Sequence, residues 1–293
     1  MDLVKGCIIM LKEKECMYYE KLSNDTVKCT LCPHYCFIED KKAGLCKVRY
    51  NKNGTLLSTN YGRISSYAMD PIEKKPLKDY YPGYRILSIG TFGCNLECGF
   101  CQNHNISQEI KEGVLTTPQN IVDMAIHEKN NIGIAFTYNE PSIWYEFVLD
   151  TAKLNQKKGK KNVLVTNGYI NQAPLKELLP YIDAMNIDLK GFSDEYYKEC
   201  KGRIRPVLDT IKTSAQKCHI EITTLLVTGK NDNIETIEDI ARYISTIDDS
   251  IPLHLSRYFP RYQYKQAPTD IHFMNQAKKI GSKYLKKVYL GNV

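Results

Sequence analysis

The sequence lacks any long hydrophobic run. Nothing approaching about 18 consecutive apolar residues occurs in it, so we expect no membrane span. An apolar patch near the start, Cys7–Leu11, lies between charged residues and is too short for the hydrophobic core of a secretory signal. With 43% hydrophobic and 25% charged residues, the composition is that of an ordinary soluble globular protein, which we expect in the cytoplasm.

A recognition motif for nucleic acid is also missing from the sequence. The formal net charge of +7 comes from lysines spread along the chain, for example in residues 157–161. Such runs are typical of solvated loops and helix ends. Because no nucleic-acid-binding module accompanies the charge, we do not expect a nucleic-acid partner.

Cysteine, in contrast, is plentiful, with eleven residues. Their grouping indicates metal ligation rather than disulfides, and the two groups are Cys29, Cys32, Cys36 and Cys46, and Cys94, Cys98 and Cys101. Ligation needs reduced thiolates, so we expect a reducing, anaerobic setting. The remaining cysteines are interpreted as small buried residues or surface thiols; they are Cys7, Cys16, Cys200 and Cys218.

The second group supplies three thiolates at the spacing Cys94-x3-Cys98-x2-Cys101. An iron–sulfur cube has four irons, and three cysteines leave one of them open to an exogenous ligand, which makes the cube a reaction centre. Structural zinc is closed by four protein ligands. The loop therefore favours a reactive cluster over structural zinc.

This spacing, with the aromatic Phe100 just before the last cysteine, resembles the signature of the radical S-adenosylmethionine enzymes. The resemblance implies a [4Fe-4S] cluster on Cys94, Cys98 and Cys101, with S-adenosylmethionine on the open iron. It also implies that one electron cleaves this cofactor to methionine and a 5′-deoxyadenosyl radical, which abstracts hydrogen from a substrate. An electron donor such as flavodoxin or ferredoxin is an implied partner.

From about residue 85, apolar runs alternate with amphipathic helical patterns, as in repeated strand–helix units around a parallel sheet. The predicted strands are Arg85–Thr91, Ile132–Tyr138, Asn162–Asn167, Ala184–Leu189, His219–Val227 and Pro252–Tyr258. The predicted helix faces carry Ile237, Ile240, Ala241 and Ile244, and Phe273, Ala277 and Ile280. Six units are too few for an eight-stranded barrel, in agreement with the partial (β/α)6 TIM-like barrel that the resemblance implies for residues 85–293.

Chemistry in such folds gathers at the carboxyl ends of the strands. Polar residues lie there at or just after the ends of the second, third and fourth predicted strands; they are Asn139, Glu140, Thr166, Asn167, Asp188 and Lys190. The resemblance implies that these residues and Phe100 contact the cofactor. Each has a structural alternative: Glu140 can cap the helix that Pro141 begins, Thr166 and Asn167 can form a turn, and Asp188 can pair with Lys190.

The sixth predicted strand places His254 and Arg257 near the open mouth of the barrel. Charge-assisted hydrogen bonds from these side chains can position a substrate or the cofactor carboxylate. The alternative is a hydrogen-bonded histidine at the barrel end and a surface arginine.

Residues 1–84 are cysteine-rich and contain a hairpin pattern in which Lys47–Tyr50 and Thr55–Ser58 flank a turn. We interpret them as a small metal-binding domain. Its four cysteines can close a zinc or iron site or hold a second cluster, and His34 can replace one of them. Zinc is favoured because a closed structural site stabilises a domain with little core, and a redox centre that feeds the main cluster is the rival.

Motifs along nearly the whole chain resemble the AmmeMemoRadiSam-system radical enzymes, relatives of pyruvate formate-lyase activating enzyme. The runs that carry this resemblance are Cys29–Cys36, Gly44–Cys46, Asp70–Leu77, Cys94–Asn103, Tyr138–Pro141 and Tyr289–Val293. Val165 stands where glycyl-radical-enzyme activases have the aspartate of Asp-Thr-Asn-Gly. The substrate therefore stays open between a small molecule or polymer and a glycine of a partner protein, and a non-catalytic iron–sulfur electron carrier is the alternative of a different class.

Overall fold

The computed structural model describes residues 13–110 and 112–293. A mostly parallel, eight-stranded sheet lies at the centre of the fold. The patch Cys7–Leu11, including Cys7, lies outside these described residues. The strands are β1 (Lys14–Glu15), β2 (Tyr19–Lys21), β3 (Val27–Cys29), β4 (Phe37–Ile38), β5 (Arg49–Lys52), β6 (Thr55–Ser58), β7 (Arg63–Ile64), β8 (Ser66–Pro71), β9 (Arg85–Gly90), β10 (Val114–Leu115), β11 (Asn131–Phe136), β12 (Lys161–Thr166), β13 (Ala184–Asp188), β14 (His219–Leu226), β15 (Leu253–Arg257) and β16 (Val288–Gly291).

Helices follow most of the parallel strands and cover the outer face of the sheet. They are α1 (His104–Ser107), α2 (Pro118–His127), α3 (Tyr145–Lys157), α4 (Gln172–Leu178), α5 (Asp194–Glu199), α6 (Ile204–Ala215), α7 (Ile234–Ser245) and α8 (Ile271–Gly281). Short 3₁₀ segments lie at Ile72–Lys74, Pro141–Trp144 and Leu179–Tyr181. Over residues 13–110 and 112–293, no helix combines the length and apolar character needed to cross a bilayer.

The sheet has the strand order β16-β15-β14-β13-β12-β11-β9-β8. All neighbouring pairs from β9 to β16 are parallel, and β8 pairs antiparallel with β9 at one edge. The six predicted strands are present as β9, β11, β12, β13, β14 and β15. Two edge strands, β8 and β16, were not predicted, because edge strands carry fewer buried apolar residues than central ones.

The helix predictions hold where the apolar period is strongest. In α7 the predicted face is entirely buried, and Asn233 begins the helix by accepting a hydrogen bond from the Thr236 amide at 2.8 Å. In α8 the face is rotated: Met274, Ala277 and Gly281 are buried, whereas the predicted Phe273 and Ile280 flank them half-buried.

The connection between β8 and β9 closes one end of the barrel. Its Ile72 and Leu77 pack inside the sheet against apolar side chains of β9, β11, β12 and β13. The side-chain amide of Asn186 donates to the carbonyl of Pro76 at 2.8 Å, and Glu221 accepts from the amide of Asp79 at 2.8 Å. The open end of the barrel therefore lies at the carboxyl ends of the strands, which is where most of the predicted site residues are found.

The N-terminal residues form small antiparallel sheets, β1-β6-β5 and β2-β3-β4. The predicted hairpin is present, with β5 pairing to β6 around Asn53 and Gly54, whose φ values are +51° and +73°. The predicted boundary after residue 84 remains a prediction. However, β8 belongs to the main sheet, and buried N-terminal residues such as Val27 and Val48 share one apolar core with the barrel helices.

Candidate active site

A cavity of about 370 Å³ opens at the carboxyl ends of the parallel strands. It is lined by all the residues predicted for the cluster and cofactor except His254 and Arg257, namely Cys94, Cys98, Phe100, Cys101, Asn139, Glu140, Thr166, Asn167, Asp188 and Lys190. The parallel pairing of β9, β11, β12 and β13 places their ends at one edge. Residues separated by about a hundred positions in the sequence therefore meet in one space.

The cysteine loop starts at Gly93, whose φ of +88° is a conformation that glycine favours. A Cβ atom at this position would lie 2.6 Å from the carbonyl oxygen of Cys46. The Gly93 amide donates to the carbonyl of Ile106 at 2.8 Å. The start of the loop is thus held between the N-terminal cysteine segment and α1.

Each of two loop thiols has a polar neighbour. The Cys94 Sγ accepts from the Leu96 amide at 3.4 Å, and the Cys101 Sγ lies 3.2 Å from the Ser107 hydroxyl. Burial raises the pKa of both thiols, so their thiolate forms need a compensating positive charge such as iron. Three thiols around one cavity suit a cube, because each cysteine binds a different iron.

The carboxylate of Glu140 ties the end of β11 to the end of β12. Its Oε1 accepts from the Thr166 hydroxyl at 2.7 Å and from the Ser142 amide at 2.9 Å, and its Oε2 accepts from the Asn167 amide at 2.7 Å. Burial raises the pKa of Glu140, and these donors oppose the rise. The capping interaction considered for this residue is present, at the start of a 3₁₀ segment.

Asn139 holds the cysteine loop from the neighbouring strand end. Its side-chain oxygen accepts from the Thr91 amide at 3.1 Å, and its side-chain nitrogen donates to the Gly93 carbonyl at 2.8 Å. The side chain spans the segment between β9 and the first cysteine, so its visible role is to position the loop.

Asn167 contacts the same loop from the end of β12. Its side-chain nitrogen donates to the side-chain oxygen of Asn95 at 2.9 Å and lies 3.7 Å from the Cys94 Sγ. Its side-chain oxygen accepts from the Tyr169 amide at 2.8 Å, which forms the turn that follows the strand. The turn alternative is therefore present, and the same residue touches the first cysteine.

Asp188 and Lys190 form the ion pair that was the structural alternative, with 3.1 Å between Nζ and Oδ2. Burial alone lowers the pKa of Lys190, but Asp188 and Cys98 raise it well above its usual value. Contact with Cys200 and burial raise the pKa of the Cys98 thiol well above its usual value, and the positive charge of Lys190 opposes that rise.

Lys75 and Tyr138 line the cavity but were not predicted as site residues. The Lys75 ammonium donates to Asp70 Oδ2 at 2.7 Å, and the Tyr138 hydroxyl donates to the same oxygen at 2.9 Å. Although burial raises the pKa of Asp70, these two donors lower it to about 2. The sequence signals for these two residues were the family runs Asp70–Leu77 and Tyr138–Pro141. No local pattern places the segment with Lys75 inside the barrel.

The expected positions of His254 and Arg257 are corrected by the structure. His254 is the second residue of β15, too early in the strand to reach the mouth, and its Nε2 lies 2.5 Å from Glu221 Oε2. Arg257 ends the strand but donates through Nε to the carbonyl of Thr269 at 2.8 Å. Neither side chain lines the cavity.

The four N-terminal cysteines line a second, small cavity together with His34 and Arg49. The guanidinium of Arg49 is buried and pairs with Glu146 at 3.1 Å. Burial raises the pKa of Cys29, and Arg49 opposes that rise. Within the described residues, no three His, Cys, Asp or Glu side chains stand close enough to hold a single metal ion.

Comparisons with known proteins show the family of the chain. A family model described as the Radical SAM superfamily matches residues 88–244. An uncharacterized protein of Methanocaldococcus jannaschii is 42% identical over 287 residues, which cover 96% of this chain and 85% of that protein. A pyruvate formate-lyase-activating enzyme of Clostridium pasteurianum is 24% identical over 245 residues, which cover 78% of this chain and 98% of that enzyme.

Among solved structures, a radical SAM methyltransferase from Sphaerobacter thermophilus is similar, with a TM-score of 0.58, 13% identity, and coverage of 72% of this chain and 67% of that one. At this identity the likeness concerns the fold alone, and it confirms the predicted partial barrel. The sequence matches confirm the relationship to activating enzymes, whereas the narrower AmmeMemoRadiSam resemblance stays a prediction.

Proposed function

The chain belongs to the radical SAM superfamily, and we propose from that premise that it is an enzyme that cleaves S-adenosylmethionine and abstracts hydrogen from a substrate. The family implies a [4Fe-4S] cluster and S-adenosylmethionine. When bound, the cluster supplies one electron to the sulfonium, so that methionine leaves and the 5′-deoxyadenosyl radical takes a hydrogen atom from the substrate.

One observation carries this proposal. The thiols of Cys94, Cys98 and Cys101 come from one loop and line the same cavity as polar side chains at the carboxyl ends of β11, β12 and β13. An electron-transfer protein needs only the cluster ligands, whereas an enzyme also needs space for cofactor and substrate beside them. The cavity supports the enzyme over the electron carrier.

The residues of the chain have distinct tasks in this proposal. Lys190, paired with Asp188, places a fixed positive charge beside Cys98. Glu140 keeps acceptor capacity for the ammonium of the cofactor while it fixes the ends of two strands. Asn139 and Asn167 hold the loop so that the three thiols keep their positions before the cluster binds.

The test is anaerobic reconstitution with iron and sulfide, followed by reduction in the presence of S-adenosylmethionine. We expect bound iron, a cubane electron paramagnetic resonance signal, and release of 5′-deoxyadenosine. The triple variant Cys94→Ala, Cys98→Ala, Cys101→Ala should lose that signal and the nucleoside. A matched variant, Cys218→Ala, should retain both, because Cys218 bonds to the Ser214 carbonyl outside the cavity. Bound cluster without nucleoside release would support the electron-carrier alternative.

A second candidate function is the activation of a partner protein by formation of a glycyl radical. The similarity to the activating enzyme of Clostridium pasteurianum over 98% of its length favours it. Val165, in place of the activase aspartate, weighs against an ordinary activase. Incubation of reduced enzyme, cofactor and a candidate partner should give a glycyl-radical doublet if the partner is the substrate. Nucleoside release without a doublet excludes that partner.

A flavodoxin or ferredoxin in a reducing cytoplasm is the proposed electron source.

For the N-terminal site, we propose that Cys29, Cys32, Cys36 and Cys46 bind a metal, with zinc first and a second cluster as the rival. Their common cavity and the buried Arg49, which favours thiolates, support metal binding. Metal binding would draw the four sulfurs together, since tetrahedral zinc requires closely spaced ligands. Metal analysis of the Cys29→Ala, Cys32→Ala variant beside the parent should show loss of zinc, or of iron and sulfide beyond one cube.

A further inference from the structure

Part of the catalytic cavity is lined by residues that the proposed cofactor contacts do not include. The proposed cofactor contacts lie on the cysteine loop and at the ends of β11, β12 and β13. The remaining lining comes from the β8–β9 connection, from β14 and β15, and from the residue after β16. We call it the distal subsite; its members are Lys74, Lys75, Thr223, Leu225, Ser256 and Asn292. It offers a substrate its own space beside the cofactor.

The β8–β9 connection spans the gap between the two edges of the open sheet. The Lys78 ammonium lies 4.8 Å from the ring centroid of Tyr289 in β16, and the Tyr289 hydroxyl donates to Asp79 Oδ1 at 2.9 Å. The same connection closes one end of the barrel and brings Lys75 to the cavity wall. Lys75 therefore enters the cavity from the closed end, whereas the cysteine loop enters it from the mouth.

Lys75 is a buried cation that shares one carboxylate with a second cation. Its side chain is 4% exposed, and its ammonium donates to Asp70 Oδ2 at 2.7 Å. The Lys74 ammonium lies 3.5 Å from Asp70 Oδ1. Burial lowers the pKa of Lys75, and Asp70 opposes that fall. Two ammonium groups against one carboxylate leave an excess of positive charge at the cavity wall, and a buried charge favours an ion of opposite sign beside it.

The Lys75 ammonium has donors left for a ligand. An ammonium can donate three hydrogen bonds, and among the described residues Asp70 is the one side chain that accepts from it. The ring of Tyr138 lies 5.0 Å from the ammonium and covers one side of it. The Tyr138 hydroxyl donates to the same oxygen of Asp70 at 2.9 Å. The carboxylate thus holds both groups, and the other donors of Lys75 are free to bind an anion in the cavity.

Thr223 gives an independent indication of a ligand in the distal subsite. It lies on β14, pairs in register with Asp188 of β13, and is 7% exposed. Within residues 13–110 and 112–293, its buried hydroxyl has no hydrogen-bond partner, although the residue lines the cavity. A buried hydroxyl without a partner costs stability, so a polar ligand in the cavity would complete it.

We propose that the substrate carries an anionic group, a carboxylate or a phosphate, that pairs with the Lys75 ammonium in the distal subsite. The inference rests on the proposed function, since it assigns a substrate to the same cavity. The cofactor of that function lies beside the cluster, where Lys190 supplies a separate cation. Lys75 serves the other end of the cavity and selects the substrate by its charge.

The test uses the protein reconstituted with its cluster and saturated with S-adenosylmethionine. Binding of inorganic phosphate and of acetate is measured by calorimetry, and the anion that binds more tightly identifies the group. Lys75→Met leaves Asp70 buried without its partner, so the charge-balanced double variant Lys75→Met, Asp70→Asn is used. It should bind the anion about tenfold more weakly than the parent, because a charge-assisted hydrogen bond is lost.

Two controls accompany the double variant. Asp70→Asn keeps Lys75 and removes the carboxylate that competes for it, so it should bind the anion at least as tightly as the parent. Lys161→Met should match the parent, because the Lys161 ammonium pairs with Asp183 at 2.8 Å outside the cavity. Circular dichroism and iron analysis show that each variant is folded and loaded.

The outcomes separate this inference from the proposed function. Parent-like anion affinity in the double variant overturns the inference, and so does affinity in Asp70→Asn that falls to the level of the double variant. Failure of the parent to bind either anion also overturns it, as does binding that occurs only without S-adenosylmethionine, because the anion then occupies the cofactor's site. Release of 5′-deoxyadenosine is measured on the same samples. A parent that binds the anion but releases no nucleoside refutes the proposed function instead.

Discussion

The imidazole Nε2 of His34 lies 2.7 Å from the backbone carbonyl oxygen of Asn95. His34 stands among the N-terminal cysteines, and Asn95 follows Cys94 in the cluster loop. The side chain of Asn95 in turn accepts from Asn167 at the cavity wall. The two cysteine groups are therefore joined by hydrogen bonds, and the N-terminal site can affect the catalytic loop through its position.

Replacing His34→Ala removes the donor and leaves the Asn95 carbonyl without this partner. We expect the free energy of unfolding to fall by about 1–3 kcal/mol and less iron to be retained by the catalytic loop after reconstitution. Chemical denaturation and iron analysis measure the two effects. His127→Ala is the control, because His127 is exposed on α2. Unchanged iron retention in His34→Ala would show that the two sites are independent.

Gly93→Ala tests the contact between the two cysteine segments in another way. Alanine would adopt an unfavourable φ of +88° and meet the Cys46 carbonyl at 2.6 Å. We expect a loss of about 2–5 kcal/mol, from backbone strain and overpacking together, with displacement of Cys94 and poor cluster assembly.

The matched control is Gly159→Ala, because Gly159 has a φ of +71° and open space around its missing Cβ. It should cost only the backbone term of about 1–2 kcal/mol and leave cluster assembly intact. Equal losses in the two variants, measured by denaturation, would contradict the steric contact with Cys46.

Glu140→Gln replaces two acceptor oxygens with one oxygen and one amide donor. The new side-chain NH2 group would face a hydrogen-bond donor, either the Asn167 amide or the Thr166 hydroxyl, whose hydrogen bond the carboxylate of Glu140 accepts in the parent. We expect a loss of about 1–3 kcal/mol in the free energy of unfolding and weaker binding of S-adenosylmethionine by calorimetry. Glu128→Gln, at the exposed end of α2, should change neither quantity. Unaltered cofactor affinity in Glu140→Gln would limit this residue to a structural role.

The carboxylate of Glu221 makes stability depend on acid pH. Burial raises its pKa, but hydrogen bonds from His219, His254 and the Asp79 amide lower it to about 2. Since the unfolded value is about 4.3, the folded state is stabilised by about 3 kcal/mol above pH 5, and this contribution is lost as the pH falls toward 2.

Glu221→Gln should therefore lower the free energy of unfolding by about 3 kcal/mol at pH 7, and its difference from the parent should shrink below pH 4. Denaturant titrations across this range measure the difference, with Glu128→Gln as the control. A difference that stays constant from pH 7 to pH 3 would rule out the carboxylate as its source.

Much of the barrel could be predicted because parallel strands are apolar on both faces. Ile86–Leu87 of β9 and Val163–Val165 of β12 follow that pattern. The edge strand β8 could not be found in this way, because its run Ser66–Pro71 is mixed and exposed on one side. His254 was wrongly placed at the mouth of the barrel. The distance of a residue in β15 from the mouth depends on the register of β15 against β14, and the sequence does not reveal that register.

The three-thiol loop and the strand-end polar residues could be predicted without the fold, because close spacing and a regular strand–helix period are local properties of the chain. Folding brings side chains from distant parts of the chain into one space: it places Lys75 in the cavity and joins His34 to Asn95. These contacts link residues far apart in the chain, and they depend on how the sheet curves and on which segments fill its two ends.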